Sequence, residues 1–193
     1  MRLRILDKGH NFGTKLLFGV IRAASRQPVL DIIKLVKYRP DFYGTPMSAV
    51  THEAMRGRSS WSVGDRELMA AIVAQTNDSR FCTAAHSAVA RRAYDDEAKV
   101  AAVLADLDRA PLDEKLRATL QLLRKQAQGQ TLEASDMRQL LDRGVTREQI
   151  EDALAVSFAF HTVTRLADAF GFALPDPDAM DAGAKFLLSR GYR

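Results

Sequence analysis

The stretch from Thr146 to Gly171, "TREQIEDALAVSFAFHTVTRLADAFG", limits the fold more than any other part of the chain. Thr146 and Gln149 have the spacing of a capping box, in which each side chain satisfies a backbone N–H of the other's residue. No glycine or proline interrupts the run until Gly171, so a helix is predicted that reaches Phe170. Its segment "LAVSFAF" is apolar on most faces, which predicts a central position in the fold. A strand of this length would be exceptional.

The remainder reads the same way. "VLDIIKLVKY" (29–38) has Val29, Ile32, Ile33 and Val36 at helical spacing and ends before Pro40. "SVGDRELMAAIVAQTND" opens with Ser62 and Asp65, another capping-box spacing. A further helix is predicted from near Ser79 toward Tyr94, preceded by the good N-cap residues Asn77, Asp78 and Ser79. "DEAKVAAVLADLDRA" and "PLDEKLRATLQLLRKQAQG" predict two amphipathic helices, the second opened by Pro111. "SDMRQLLDRG" predicts a helix ended by a glycine suited to the left-handed cap. After Pro175 one last helix is expected, docked by Phe186, Leu187 and Leu188. No stretch shows strand alternation, and no internal repeat is present. The only linker-like segment is "RPDFYGTP" (39–46). The expected class is all-α.

Composition narrows the setting. The chain has 193 residues and is 47% hydrophobic, enough for one domain with a real core. A single cysteine, Cys82, excludes an intrachain disulfide and fits a reducing, cytoplasmic compartment. In "KLLFGVIRAA" (15–24) Arg22 breaks the apolar run after six residues, too soon for a signal core or a membrane span, so an amphipathic helix is expected there. Residues 1–60 carry 11 Lys/Arg and 4 Asp/Glu, a balance of +7, and the rest carries −3. The basic residues are spread singly, without interleaved aromatics, so neither nucleic acid nor a membrane is an expected partner.

The residues that could carry chemistry lie in "SRFCTAAH" (79–86). If Ser79 caps this helix, its hydroxyl accepts from the backbone N–H of Cys82. The thiol then sits in the first turn, where the helix dipole favours an anion and lowers a cysteine pKa. His86 lies one turn further on the same face and could serve as its base. A tight turn between antiparallel helices could return Glu67 against His86 or Cys82, where a carboxylate would orient the imidazole. The competing reading is simpler. Free cysteine is among the most buried residue types, and a Cys and a His four apart occur often by chance. One cysteine and one histidine are too few for a metal site, and His161, in "HTVTR", reads as a satisfied core histidine.

At this point a family resemblance enters. "WSVGDRELMAAIVAQTNDSRFCTAAHSAVA" (61–90) resembles the core of the alkyl hydroperoxidase D-like and carboxymuconolactone decarboxylase superfamily. The flanking "YRPDFYGTPMSAVTHEAMRG" (38–57) and "TRLADAFGF" (164–172) are similar to the segments on either side. The peroxidase branch carries a Glu and, twelve residues later, Cys-x-x-Cys-x-x-x-His. Here Glu67 lies twelve residues before Ser79, which stands where the first family cysteine stands, and Cys82 and His86 match the second cysteine and the histidine. The family pattern also has an asparagine near the Arg of the long helix, where this chain has His161 and Thr164.

The resemblance implies an alkyl hydroperoxidase D-like helical bundle at 39–193 with an N-terminal helical extension at 1–38. It implies an oxidoreductase that reduces hydroperoxides at Cys82, with His86 as base, Glu67 as the partner that orients it, and Ser79 as cap and hydrogen-bond donor. Ser79 removes the dithiol cycle, so an external thiol reductant is expected and no cofactor or metal. One alternative is decarboxylase-like chemistry on a lactone-type substrate, using Glu67 and His86. Another is a redox-sensing or ligand-binding oligomer without turnover. The family implies a homo-oligomer, and the face around Leu16, Leu17 and Phe18 could form that contact or be ordinary core.

Overall fold

A computed structural model describes residues 2–192. Among them the chain forms α1 (Ile5–Lys8), α2 (Phe12–Ser25) and α3 (Asp31–Tyr38), then a π-helical turn at Pro40–Gly44. There follow α4 (Thr45–Arg56), α5 (Val63–Thr76), α6 (Arg80–Tyr94), α7 (Glu97–Ala105), α8 (Glu114–Ala127), α9 (Ala134–Asp142), α10 (Arg147–Phe170) and α11 (Pro177–Arg190). No strand occurs among the described residues, so the all-α class holds.

The caps explain the boundaries. Ser62 and Asp65 exchange side-chain-to-backbone hydrogen bonds at the start of α5, and Thr146 and Gln149 do so at the start of α10. Gly171 ends α10 at φ 62°, the left-handed conformation that glycine adopts without strain. Three local expectations need correction. Segment 39–46 is no linker, because the π-helical turn feeds directly into α4. Pro111 lies before α8 rather than inside it, and Asp113 caps that helix with bonds to the N–H groups of Lys115 and Leu116. α11 docks through Ala179, Met180 and Ala184, while Phe186 and Leu188 face outward. Small residues allow α11 to lie close against α6, which long ones would prevent.

The helix at the centre is α5, not α10. From Arg66 to Ala74 every residue of α5 is buried, because α4, α6, α8 and α10 surround it. α10 buries one face, with Val156, Phe160 and Val163, and leaves Phe158 exposed. α5 and α6 form an antiparallel hairpin closed by Asn77–Ser79. Asp78 takes φ 57° there and the Ser79 N–H donates to Ala74 O at 2.9 Å. Near the open end of the hairpin the helices are so close that a Cβ on Gly64 would lie 2.8 Å from the Tyr94 ring. This hairpin is what sets Glu67 opposite His86.

The N-terminal helices bury Leu6, Phe18, Val29 and Leu35. They are tied to the region beyond α10 by Arg2 N–H to Phe170 O at 2.7 Å and Ala173 N–H to Asp31 Oδ2 at 2.9 Å. On α2, Phe18 points inward, whereas Phe12, Leu16 and Val20 are exposed. No helix among the described residues is long and apolar enough to cross a membrane.

Candidate active site

Glu67 is fully buried in the middle of α5, at 0% exposure. A lone carboxylate there would be protonated by the cost of desolvation. Three donors prevent this. His86 Nδ1 lies 2.7 Å from Glu67 Oε2, and Arg56 Nη2 donates to Oε1 at 2.7 Å. The Tyr192 hydroxyl donates to the same Oε1 at 2.9 Å. Burial pushes the Glu67 pKa up, but the hydrogen bond from His86 and the charges of His86 and Arg56 outweigh it and hold it below the usual carboxylate value. Glu67 is therefore an anion at neutral pH. Its bond to Nδ1 fixes the tautomer and orientation of the imidazole.

His86 is 5% exposed and gripped from both sides. The Phe160 ring meets it edge-on with centroids 4.2 Å apart, and the Tyr192 ring lies nearly parallel at 6.4 Å. With Nδ1 committed to Glu67, Nε2 has no hydrogen-bond partner among the described residues. That nitrogen is the one able to exchange a proton with a reacting group.

Cys82 occupies the first turn of α6 and is 1% exposed. It makes no hydrogen bond with His86, although the two share a helix face. Ser79 does stand at the N-cap position, but its hydroxyl makes no capping bond. Instead it donates to Asp168 Oδ1, at 2.9 Å, from α10. The expected lowering of the thiol pKa is therefore reversed. Burial raises it most, the neighbouring Ser79 hydroxyl offsets part, and the Asp168 charge raises it again, to about 12. Cys82 is a thiol at neutral pH, not a standing thiolate.

The structure brings Glu67 and His86 together, and it sets Cys82 and Ser79 beside Asp168, one helical turn away. Arg56, Tyr192, Phe160 and Asp168 were not found from sequence. Arg56 is in the family-like "HEAMRG" segment, yet nothing in its spacing marks it as a partner of Glu67. Tyr192 is 125 residues from Glu67, beyond any local pattern. His161 is half-buried, and its Nδ1 lies 3.2 Å from Asn77 Nδ2, consistent with a structural histidine. Among the described residues no group of three or more His, Cys, Asp or Glu side chains could hold a metal ion.

A surface groove of about 1040 Å³ lies elsewhere. It runs along the outer side of α6 past Thr83, Ser87 and Arg91 to Met180, and none of Glu67, Cys82 and His86 lines it. The acid–base centre is not served by this groove.

No curated protein sequence matches the chain significantly. Two solved structures share its fold. One is an uncharacterised peroxidase-related protein from Silicibacter sp. TM1040, with TM-score 0.78 and 22% identity over 93% of each chain. The other, from Ralstonia eutropha JMP134, is described as an alkylhydroperoxidase AhpD core and uncharacterised peroxidase-related protein. It has TM-score 0.77 and 19% identity over 94% of this chain and 96% of that one. Residues 40–125, which contain Arg56, Glu67, Ser79, Cys82 and His86, match the model of the carboxymuconolactone decarboxylase family.

Proposed function

We propose that this protein is a thiol enzyme that reduces organic hydroperoxides at Cys82, with Glu67 and His86 handling the proton. One observation carries the reading: a buried carboxylate–imidazole pair, with Nε2 uncommitted, lies one helical turn from the only thiol in the chain. The names of the two structural neighbours, both peroxidase-related, point the same way.

A thiol held near 12 cannot work as a preformed thiolate. It can work as a serine nucleophile does, giving up its proton only as the new bond forms. The Cys82 sulfur attacks the terminal oxygen of R–O–OH. The S–O bond forms, the O–O bond breaks, and the electron pair leaves on RO⁻. His86 Nε2 takes the thiol proton, through one bridging water, and returns it to RO⁻ as ROH. Glu67 stabilises the imidazolium formed meanwhile. Cys82 is left as a sulfenic acid. One external thiol condenses with it, releasing water, and a second regenerates the Cys82 thiol and leaves the external pair as a disulfide. Ser79 in place of a cysteine makes this external route necessary.

The raised thiol pKa and the missing Cys82–His86 hydrogen bond favour a second reading, in which Glu67 and His86 act as an acid–base pair on a lactone-type carboxylate and Cys82 only packs. Steady-state turnover of cumene hydroperoxide and of a carboxylated lactone separates the two. The first reading requires that Cys82→Ala and His86→Ala both abolish hydroperoxide reduction. If Cys82→Ala keeps full turnover while His86→Ala loses it, the second reading replaces the first. A folded protein that turns over neither compound would be a binding or sensing protein.

A further inference from the structure

The centre just described is deeply buried. Glu67, Ser79 and Cys82 are each 1% exposed or less, His86 is 5% exposed, and the groove along α6 does not reach them. Tyr192 covers one side of the acid–base pair. Tyr192 follows the glycine that ends α11. The residue is half-buried, and its hydroxyl lies inside, 2.9 Å from Glu67 Oε1 and 3.4 Å from His86 Nδ1. The ring therefore spans the distance from the surface to the acid–base pair. It lies nearly parallel to the imidazole, and the Arg56 guanidinium sits 5.1 Å from its centroid.

We infer that Tyr192 occupies the substrate's place, and that the site opens when the segment after α11 swings outward to admit an aryl or conjugated molecule bearing a hydroxyl or hydroperoxyl group. The reading of the centre as a hydroperoxide-reducing site supplies the reaction, and this inference rests on it for the identity of the substrate. The chemistry of the slot follows from what fills it. Glu67 Oε1 accepts a hydrogen bond from an O–H, as it does from tyrosine, and the terminal O–H of a hydroperoxide is such a donor. A flat apolar body can stack beside His86 and against the Arg56 guanidinium, as the phenol ring does. Hydrogen peroxide has the donor but no body to displace the ring.

The segment has a hinge at Gly191. Gly191 turns at φ 69° and ψ −149°, a conformation that only glycine adopts readily, and this aims Tyr192 back into the bundle. Beyond that turn the segment is held by the Tyr192 N–H on His52 Nδ1 at 3.2 Å and by the hydroxyl on Glu67. Release must break those two bonds and the ring contacts with His86 and Arg56, with Gly191 as the hinge.

The test uses two readouts that need no turnover. The first is alkylation of Cys82 by iodoacetamide in the parent, Tyr192→Phe, Tyr192→Leu and Tyr192→Ala. The second is calorimetric titration of 4-methylphenol, the tyrosine side chain as a free molecule, into Cys82→Ala and Cys82→Ala/Tyr192→Ala. Expected results are alkylation at least roughly tenfold faster in Tyr192→Ala and saturable 4-methylphenol binding at least roughly tenfold tighter once Tyr192 is removed. Tyr192→Leu keeps an apolar filler, so it reports the same opening should the alanine variant fail to fold. Activity is read beside them: Tyr192→Phe should gain on hydrogen peroxide relative to cumene hydroperoxide. Equal alkylation in all forms and no saturable phenol binding would overturn the inference while leaving the peroxidase reading intact. Phenol binding and faster alkylation with no hydroperoxide reduction in any form would end the peroxidase reading and keep the gate.

Discussion

Replacing Glu67 with alanine should be among the most damaging single changes in the molecule. The carboxylate has no exposed surface, and it is the shared acceptor for Arg56, His86 and Tyr192. Arg56 is only 11% exposed in its side chain, so the substitution leaves a guanidinium buried without its counter-ion. Breaking a buried pair from one side costs about 3–5 kcal/mol, because an uncompensated charge remains. For a domain of this size, at roughly 2–4 °C per kcal/mol, this corresponds to a Tm lower by roughly 6–20 °C. Glu67→Leu combined with Arg56→Met removes both charges and should recover most of the loss. Urea unfolding followed by far-UV circular dichroism, at fixed protomer concentration, measures each step. The pH dependence gives an independent check. The Glu67 pKa is depressed from its ordinary 4.5. Its stabilisation is therefore fully present above about 4.5 and is lost as pH falls through the lower folded value. In Glu67→Gln the unfolding free energy should fall less steeply over that acid window than in the parent. A loss under about 1 kcal/mol in Glu67→Ala, no larger than a typical point mutation, would show that Arg56 and His86 do not depend on this carboxylate.

Two further predictions concern the thiol and its cover. Asp168→Asn removes a charge that raises the Cys82 pKa but retains an acceptor for Ser79, so alkylation of Cys82 at mildly alkaline pH should become faster; an unchanged pH profile would refute the assignment. A Cβ at Gly191 would lie 2.7 Å from the His52 ring in a backbone conformation unfavourable to alanine by on the order of 1–3 kcal/mol. Gly191→Ala should therefore free Tyr192 and accelerate Cys82 alkylation without lowering the urea midpoint of the core, and normal protection of the thiol would contradict this.

The helices were readable because their signals are local. Ser62–Asp65 and Thr146–Gln149 announce helix starts within four residues, and Gly171 announces an end. The pairing of Glu67 with His86 was also within reach, because one short turn joins their helices. What sequence could not show depends on contacts between distant segments. Asp168 meets Ser79 from 89 residues away and diverts the hydroxyl from its capping role. With the sulfur buried in the core and a carboxylate beside it, the helix dipole does not prevail, and a residue read as an activated thiolate is a protonated thiol. The same limit explains the misplaced centre. Apolar content marked α10, but α5 is central because four helices pack around it, and its buried Arg66 and Glu67 made it look less like a core helix.

The most direct measurement is the single-turnover rate at which Cys82 is oxidised by cumene hydroperoxide across pH, followed by intact mass in the parent, Glu67→Gln and His86→Ala. General acid–base catalysis contributes on the order of 10²–10⁴-fold. The account predicts a sulfenic acid formed quickly in the parent and at least about 10²-fold more slowly in both variants. Equal, slow oxidation in all three would contradict it and leave Cys82 a packing residue beside an acid–base pair used for other chemistry.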